Sequence, residues 1–183
     1  RLAFVPDGDL FESVKSGKVD VVTDHIDHFT ETGIALKSGK VLEADIVVTA
    51  TGFNLLVMGG IPFEVDGAPV DFSKRFTYLG VMLDGVPNMA HVFGYFRTSW
   101  TMRADMISDY VCRLLNHMDA TGAKTVTPTL RPQDQNMTPR PWVSEEEFNP
   151  GYMLRGRDKM PKNGDHAPWV FPTDYYVEKD LLP

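Results

Sequence analysis

Cysteine is nearly absent from this chain. Cys112 is the single one in 183 residues, so no internal disulfide can form, and such usage fits a reducing compartment. Basic runs are missing as well. Lys and Arg number 18 against 25 Asp and Glu, a net charge of −7, which argues against nucleic acid as a partner. No apolar run approaches the length that spans a bilayer and no secretory leader is visible; the expectation is a soluble, cytoplasmic protein without a membrane span. A Gly-x-Ser-x-Gly elbow is lacking, so nothing supports a hydrolase. An initiator Met is lacking too: the chain opens at Arg1 and is expected to be a piece of something longer.

What is present is ordinary in amount and uneven in arrangement. Hydrophobic residues make up 43% of the chain, enough for one core, and the length allows one domain or a domain with an appendage. Asp9-Leu10-Phe11-Glu12 has the spacing of a capping box and predicts a short helix stopping at Gly17. Alternation predicts strands over 18–23, 25–30 and 34–37, with Thr32-Gly33 and Ser38-Gly39 as turns. Asp66-Gly67 marks a hairpin within 63–70.

The segment "LEADIVVTATGFN", 42–54, is less generic. Its β-branched run predicts a buried strand over 45–49, which then ends in Ala50-Thr51-Gly52. Small residues there give up packing, and a glycine at a strand end marks the close approach of a ligand or another backbone. A second short apolar strand is predicted over 89–93, ending at Gly94, and placed beside the first.

The longest periodic element follows. Trp100, Ala104, Ile107, Val111, Leu114 and Met118 recur at spacings of four and three, one face of an amphipathic helix. Thr98 or Ser99 is its natural N-cap and Gly122 its stop. Residues 125–183 are proline-rich and predict an irregular wrap, helical only near 144–148. At least one of Trp142, Trp169 and Tyr175 should be largely buried in it.

Two strand ends and one helix start predict a site for a flat, polar-edged ligand, because ligands gather at the carboxyl ends of strands and helix N-termini offer free N–H groups. Phe96, beside Arg97, and Trp100 are candidates for a pocket lining. His25 and His28, three apart on a strand, face opposite ways, so no metal site is read from them. Cys112, beside Val111 on the helix, is expected in the core.

"ADIVVTATGF" resembles the Ala-Thr-Gly motif of flavin-dependent monooxygenases that also use NADPH. "GVPNMAHVFGY" followed by "TSWTMRADM" is similar to a flavin-contacting segment of the Baeyer–Villiger branch. "RLAFVPDGDLF", "GKVDVVTDHIDHFTETGI", "VCRLLNHMD" and "PGYMLRGRDKMPK" look most like its ethionamide-activating type. The two Gly-x-Gly-x-x-Gly turns and the Phe-x-Gly-x-x-x-His fingerprint of that family are absent. The resemblance therefore implies an α/β fragment, the C-terminal part of a flavoprotein with two dinucleotide-binding domains. On that reading 1–24 is the return from the NADPH domain, 25–123 the end of the FAD domain, and 124–183 the C-terminal wrap.

The same resemblance implies FAD and NADPH as cofactors, and O2 and a ketone, or alternatively a thioether, as substrates. It also makes the N-terminal part of the same enzyme a partner. Ala50, Thr51, Gly52, Phe53, Trp100, Thr101 and Met102 would contact the cofactor, and Phe96 and Trp100 the substrate. In that family an arginine opening a segment like "RLAFVPDGDLF" steadies the anionic oxygen species, and Arg1 holds the matching position. Oxygenation at sulfur or nitrogen, or a non-catalytic interaction domain, are the other readings the residues leave open.

Overall fold

The computed structural model describes residues 5–182. Its contacts divide the chain into two units that meet between Thr51 and Gly52. The architecture is mixed α/β, built from small antiparallel sheets and few helices.

The first unit begins with α1 (Asp9–Lys15). Gly8, not Asp9, is its N-cap, and no side chain caps it, so the capping-box reading is corrected. The stop is as the sequence indicates, with Gly17 in the left-handed region at φ 72°. A meander of β1 (Ile26–Thr30), β2 (Gly33–Leu36) and β3 (Val41–Glu43) follows, in the order β1-β2-β3. Both pairings are antiparallel, with Thr30 opposite Gly33 and Gly33 opposite Glu43. Gly33 is required there, because a Cβ would overlap the Leu42 carbonyl.

Two expected strands of this unit do not form. Residues 18–23 are irregular, and so are 45–49. Ile46 and Val48, expected in a buried strand, are 82% and 83% exposed. An extended segment becomes a strand only when a neighbour takes up its N–H and C=O groups, and no described residue pairs with 45–49 in a ladder.

The second unit holds the core. The hairpin of β4 (Glu64–Val65) and β5 (Ala68–Pro69) turns at Asp66-Gly67. Both turn residues have positive φ, 51° and 79°, the geometry for which Asp-Gly is favoured. Another hairpin pairs β6 (Thr77–Tyr78) with β7 (Met82–Leu83). The expected strand over 89–93 is irregular; among the described residues its one backbone tie is His91 N–H donating to the Val81 carbonyl at 2.8 Å. The helix α2 (Trp100–Thr121) runs from Ser99 in the cap to Gly122 in the left-handed region at φ 71°, as its sequence predicts.

Beyond α2 the chain wraps back over 76–96. Gly85 N–H donates to Pro128, Asn88 N–H to Val126, and Leu79 N–H to Pro168. The wrap contains β8 (Arg140–Pro141) paired with β9 (Lys162–Asn163), and two helices, α3 (Gly151–Gly156) and α4 (Tyr175–Glu178). Residues 144–148 form a turn, so the expectation of a single helical stretch there is corrected. Prolines end short helices without forbidding them, since Pro150 sits at the N-cap of α3, where no donor is lost. Trp142 and Trp169 are buried as expected of the wrap, at 4% and 1% exposure.

Candidate functional site

An aromatic cluster organises the second unit. Phe96, Trp142, Met153, Met160 and Phe171 are buried together, with Leu55, Phe93, Phe148 and Tyr152 packed against them. Trp142 stacks on Phe171 with centroids 4.8 Å apart, and Phe96 on Phe148 at 4.5 Å. Phe53 and Trp100, the two exposed aromatic site candidates, both attach to this cluster. Phe53 stacks on Tyr152 at 4.2 Å, and Trp100 leans on Phe93 at 4.7 Å.

Arg155 on α3 fixes the chain just after Ala-Thr-Gly. Its guanidinium donates to the Phe53 carbonyl at 3.0 Å and the Asn54 side chain at 3.2 Å. Gly52 has φ 98°, and a Cβ there would meet nothing within 4 Å; the glycine serves the backbone turn and leaves the space before it open. Ala50 and Thr51, on the other side of the unit boundary, are exposed. Arg1 lies outside the described residues.

The start of α2 is equally open. Trp100, Thr101 and Met102 are exposed, and Ser99 gives no side-chain cap. Its hydroxyl shares a hydrogen bond of 2.7 Å with that of Thr101 instead. The first-turn N–H groups therefore face outward with the positive end of the helix dipole behind them. Gly94 is what lets Trp100 come so close, because a Cβ on Gly94 would overlap the indole and lie 2.7 Å from the Trp100 Cα.

Phe96 and Met102 line a cleft of about 340 Å3 together with Arg97, Glu147, Thr173 and Tyr175. Arg97 donates to the Glu147 carbonyl at 3.2 Å, and Thr173 to the Glu147 carboxylate at 2.8 Å. The structure thus brings Phe96 beside Met102, whereas Trp100 lies apart from the lining.

No family model matches the chain, and no solved structure matches it. Curated proteins do. Over 182 residues, covering 100% of this chain, it is 49% identical to the FAD-containing monooxygenase EthA of Mycobacterium tuberculosis. It is 47% identical to EthA of Mycolicibacterium smegmatis and 48% to the "Probable FAD-binding monooxygenase AlmA" of Acinetobacter baylyi, with the same coverage. The chain belongs to this family of FAD-containing monooxygenases. It spans 36% of the length of these relatives and corresponds to their C-terminal part.

In this monooxygenase segment, reading the sequence missed a buried polar centre directly behind the helix start. Arg103, one residue past the exposed turn, is wholly buried, and so is Glu178 of α4. The guanidinium donates to the carboxylate through Nε at 2.9 and 3.0 Å and through Nη2 at 2.6 Å. Its remaining three protons go to the carbonyls of Leu79, Phe93 and Gly80 at 3.0, 2.5 and 3.4 Å. Tyr95 donates its hydroxyl to Glu178 at 2.5 Å, and burial, then that carboxylate, push the phenol pKa up. No helical pattern reveals this, because Arg103 falls between the apolar positions and its partner is 75 residues away. The inward face of α2 is consequently Arg103 and Ile107, with Met106, Tyr110, Val111 and Leu114 beside them, while Trp100 is 53% exposed. Cys112 is exposed, not core: it points away from the inward row that Val111 and Leu114 complete.

Proposed function

We propose that this chain is the C-terminal part of an FAD- and NADPH-dependent monooxygenase of the Baeyer–Villiger type, which inserts one oxygen atom of O2 beside a ketone carbonyl to give an ester or lactone. The observation that carries the reading is the likeness over the whole chain, 49% identical, to a protein named as an FAD-containing monooxygenase. The flavoprotein fold, the NADPH requirement and a cytoplasmic location belong to the same proposal. So does the assignment of 1–24, 25–123 and 124–183 to the NADPH-domain return, the FAD domain and the wrap.

The residues present fit a flavin. Three features support that fit: the open backbone at Gly52, the exposed ring of Phe53, and the first turn of α2, which no side chain caps. Bound FAD supplies electron transfer from NADPH and oxygen activation. The chain's own part is to hold and shield. Backbone N–H groups of Trp100, Thr101 and Met102 would receive an electron-rich edge, since the helix dipole there favours negative charge. On the family resemblance, Ala50, Thr51 and Gly52 would give a flavin small residues to approach, and in the second unit the exposed Phe53 and Trp100 rings would help exclude water. Phe96 and Arg97 line the substrate side through the 340 Å3 cleft. Arg1 would place a fixed cation against developing negative charge.

The decisive experiment is product analysis with the complete protein, NADPH and O2, offering a simple ketone and a thioether in competition. An ester from the ketone is expected. Sulfoxide alone would replace this reading with heteroatom oxygenation, and no oxygenation of either would leave an interaction domain. The site assignment has its own check. Thr101→Pro removes one first-turn donor at a position where proline is tolerated. We expect a more negative flavin potential and slower reduction by NADPH, with the melting temperature nearly unchanged. An unmoved potential in the folded, FAD-loaded variant would remove the helix start from the flavin site.

A further inference from the structure

The cleft of about 340 Å3 is lined by two stretches of chain, 96–102 and 173–176, with Glu147 bridging them. Each stretch is also bordered by a residue that goes into the buried polar centre. Tyr95 precedes Phe96, Arg103 follows Met102, and Glu178 stands two residues after Tyr176. Tyr95 is 1% exposed, Arg103 and Glu178 not at all. Their bonds meet at one carboxylate, which Arg103 grips through Nε and Nη2 and to which the Tyr95 hydroxyl donates. The Tyr95 ring meanwhile lies edge-on to that of Tyr175, with centroids 6.4 Å apart. Glu178 thus ties the two stretches together behind the side chains that line the cleft.

The tie decides where the second stretch sits. The helix α4 has four residues, far too few to hold its shape alone. Its start is capped by Asp174, which accepts from the Tyr176 and Val177 N–H groups at 2.8 and 3.3 Å, and its end is anchored by Glu178. Room for the anchor is built in: a Cβ on Gly80 would lie 2.7 Å from the Arg103 guanidinium. The bonds of Arg97 and Thr173 to Glu147 also cross between the stretches, but they are exposed and water competes for them. Charge-assisted bonds sealed from water are the stronger kind.

We propose that Glu178, held by Arg103 and Tyr95, is a positioning residue that fixes the width of the cleft and thereby the size of substrate it admits. The inference rests on the proposed use of this cleft by substrate, but not on which atom of that substrate is oxygenated.

The test measures binding to the complete, FAD-loaded protein without NADPH, by ligand-observed NMR, for two pairs graded in size: cyclohexanone with 4-phenylcyclohexanone, and thioanisole with 4-phenylthioanisole. Tyr95→Phe keeps the ring and the Arg103 pair and removes one bond to Glu178. It should shift the affinity ratio toward the larger member by about 2- to 10-fold, the range one net hydrogen bond supports. Glu178→Gln should shift it in the same direction; Tyr95→Phe, the milder change, carries the test if that variant folds poorly. A merely structural role would weaken both members alike and leave the ratio where it was. Tyr176→Ala opens the same wall from its exposed side, at a residue 72% exposed, with Glu178 still held. It should also move the ratio, which locates the size limit in this cleft. A ratio that moves in Tyr176→Ala but not in the other variants would overturn the role of Glu178 and leave the cleft as the substrate site. A ratio indifferent to Tyr176→Ala, or no binding of either pair, would overturn both.

Discussion

The two units of this chain treat the same kinds of residue in opposite ways. Up to Thr51, only Gly33 and Leu36 are buried among the described residues, while Phe11, Val21, Phe29, Ile46 and Val48 lie exposed. From Gly52 onward, Val81, Leu83, Tyr95, Ile107 and Trp169 are all within 3% of full burial, and even an ion pair is sealed inside. Apolar side chains do not by themselves make a core; they need partners, and a three-stranded meander with one short helix supplies few. A unit that leaves so much apolar surface open is expected to have it covered elsewhere in a longer protein. The second unit, by contrast, draws its partners from its own wrap.

The sharpest way to break that contrast is at the buried pair. Arg103→Met would strand Glu178 as an uncompensated buried carboxylate, and removing one partner of such a pair costs about 3–5 kcal/mol. Denaturant unfolding of the complete protein, read through a probe in the second unit such as tryptophan fluorescence, should show this loss. The double variant Arg103→Met with Glu178→Leu should recover much of it, since exchanging both ions for apolar groups is often neutral. A single variant as stable as the parent would mean that the carboxylate has water or another cation.

A paired truncation sharpens the comparison at smaller cost. Leu83 is fully buried in the second unit and Leu36 is 6% exposed in the first. Leu83→Ala should cost about 2–5 kcal/mol, since tight surroundings cannot collapse onto the cavity. Leu36→Ala should fall at or below the bottom of that range, because a thin meander can relax. Equal losses would argue that the first unit is as tightly enclosed as the second.

How much of this was legible beforehand follows the same division between local and distant causes. The limits of α2 at Ser99 and Gly122 and the Asp66-Gly67 hairpin were readable because cap and turn preferences act over a few residues. The strands expected at 45–49 and 89–93 were not: a run such as Ile46-Val47-Val48 records hydrophobicity, whereas a strand requires a neighbour, and none of the described residues provides it. Arg103 was invisible for the related reason that a charged residue inside a helix reads as surface until its distant partner is known. Among the site candidates, Phe96 and Met102 come together in one cleft through the fold of 93–102, while the proposed flavin contacts of Ala50, Thr51 and Gly52 rest on the family resemblance.

The smallest expected effect concerns pH and lies in the wrap. Buried Asp134 accepts from Arg131 Nε at 2.8 Å and faces His166 Nε2 at 3.0 Å. The opposite ring nitrogen of His166 is 2.7 Å from Asp165. Arg131 first, and then His166, hold the Asp134 carboxyl well below the ordinary carboxylate range. Asp134, followed by Asp165, raises the His166 pKa above its ordinary 6.5. The signs then separate cleanly. A raised folded-state value means that His166 contributes fully below pH 6.5 and loses its contribution as pH climbs through the raised value. Asp134 contributes above the ordinary carboxylate value near 3.8 and fails only in strong acid. The melting temperature of the complete protein should therefore decline gently from about pH 6.5 upward by this route, and His166→Gln should flatten that decline while leaving the acid limb in place. Because His166 is 43% exposed, solvent and salt screen the pair, and the slope should shrink further at high ionic strength. A decline of unchanged slope in His166→Gln would show that the wrap is not held by this charge.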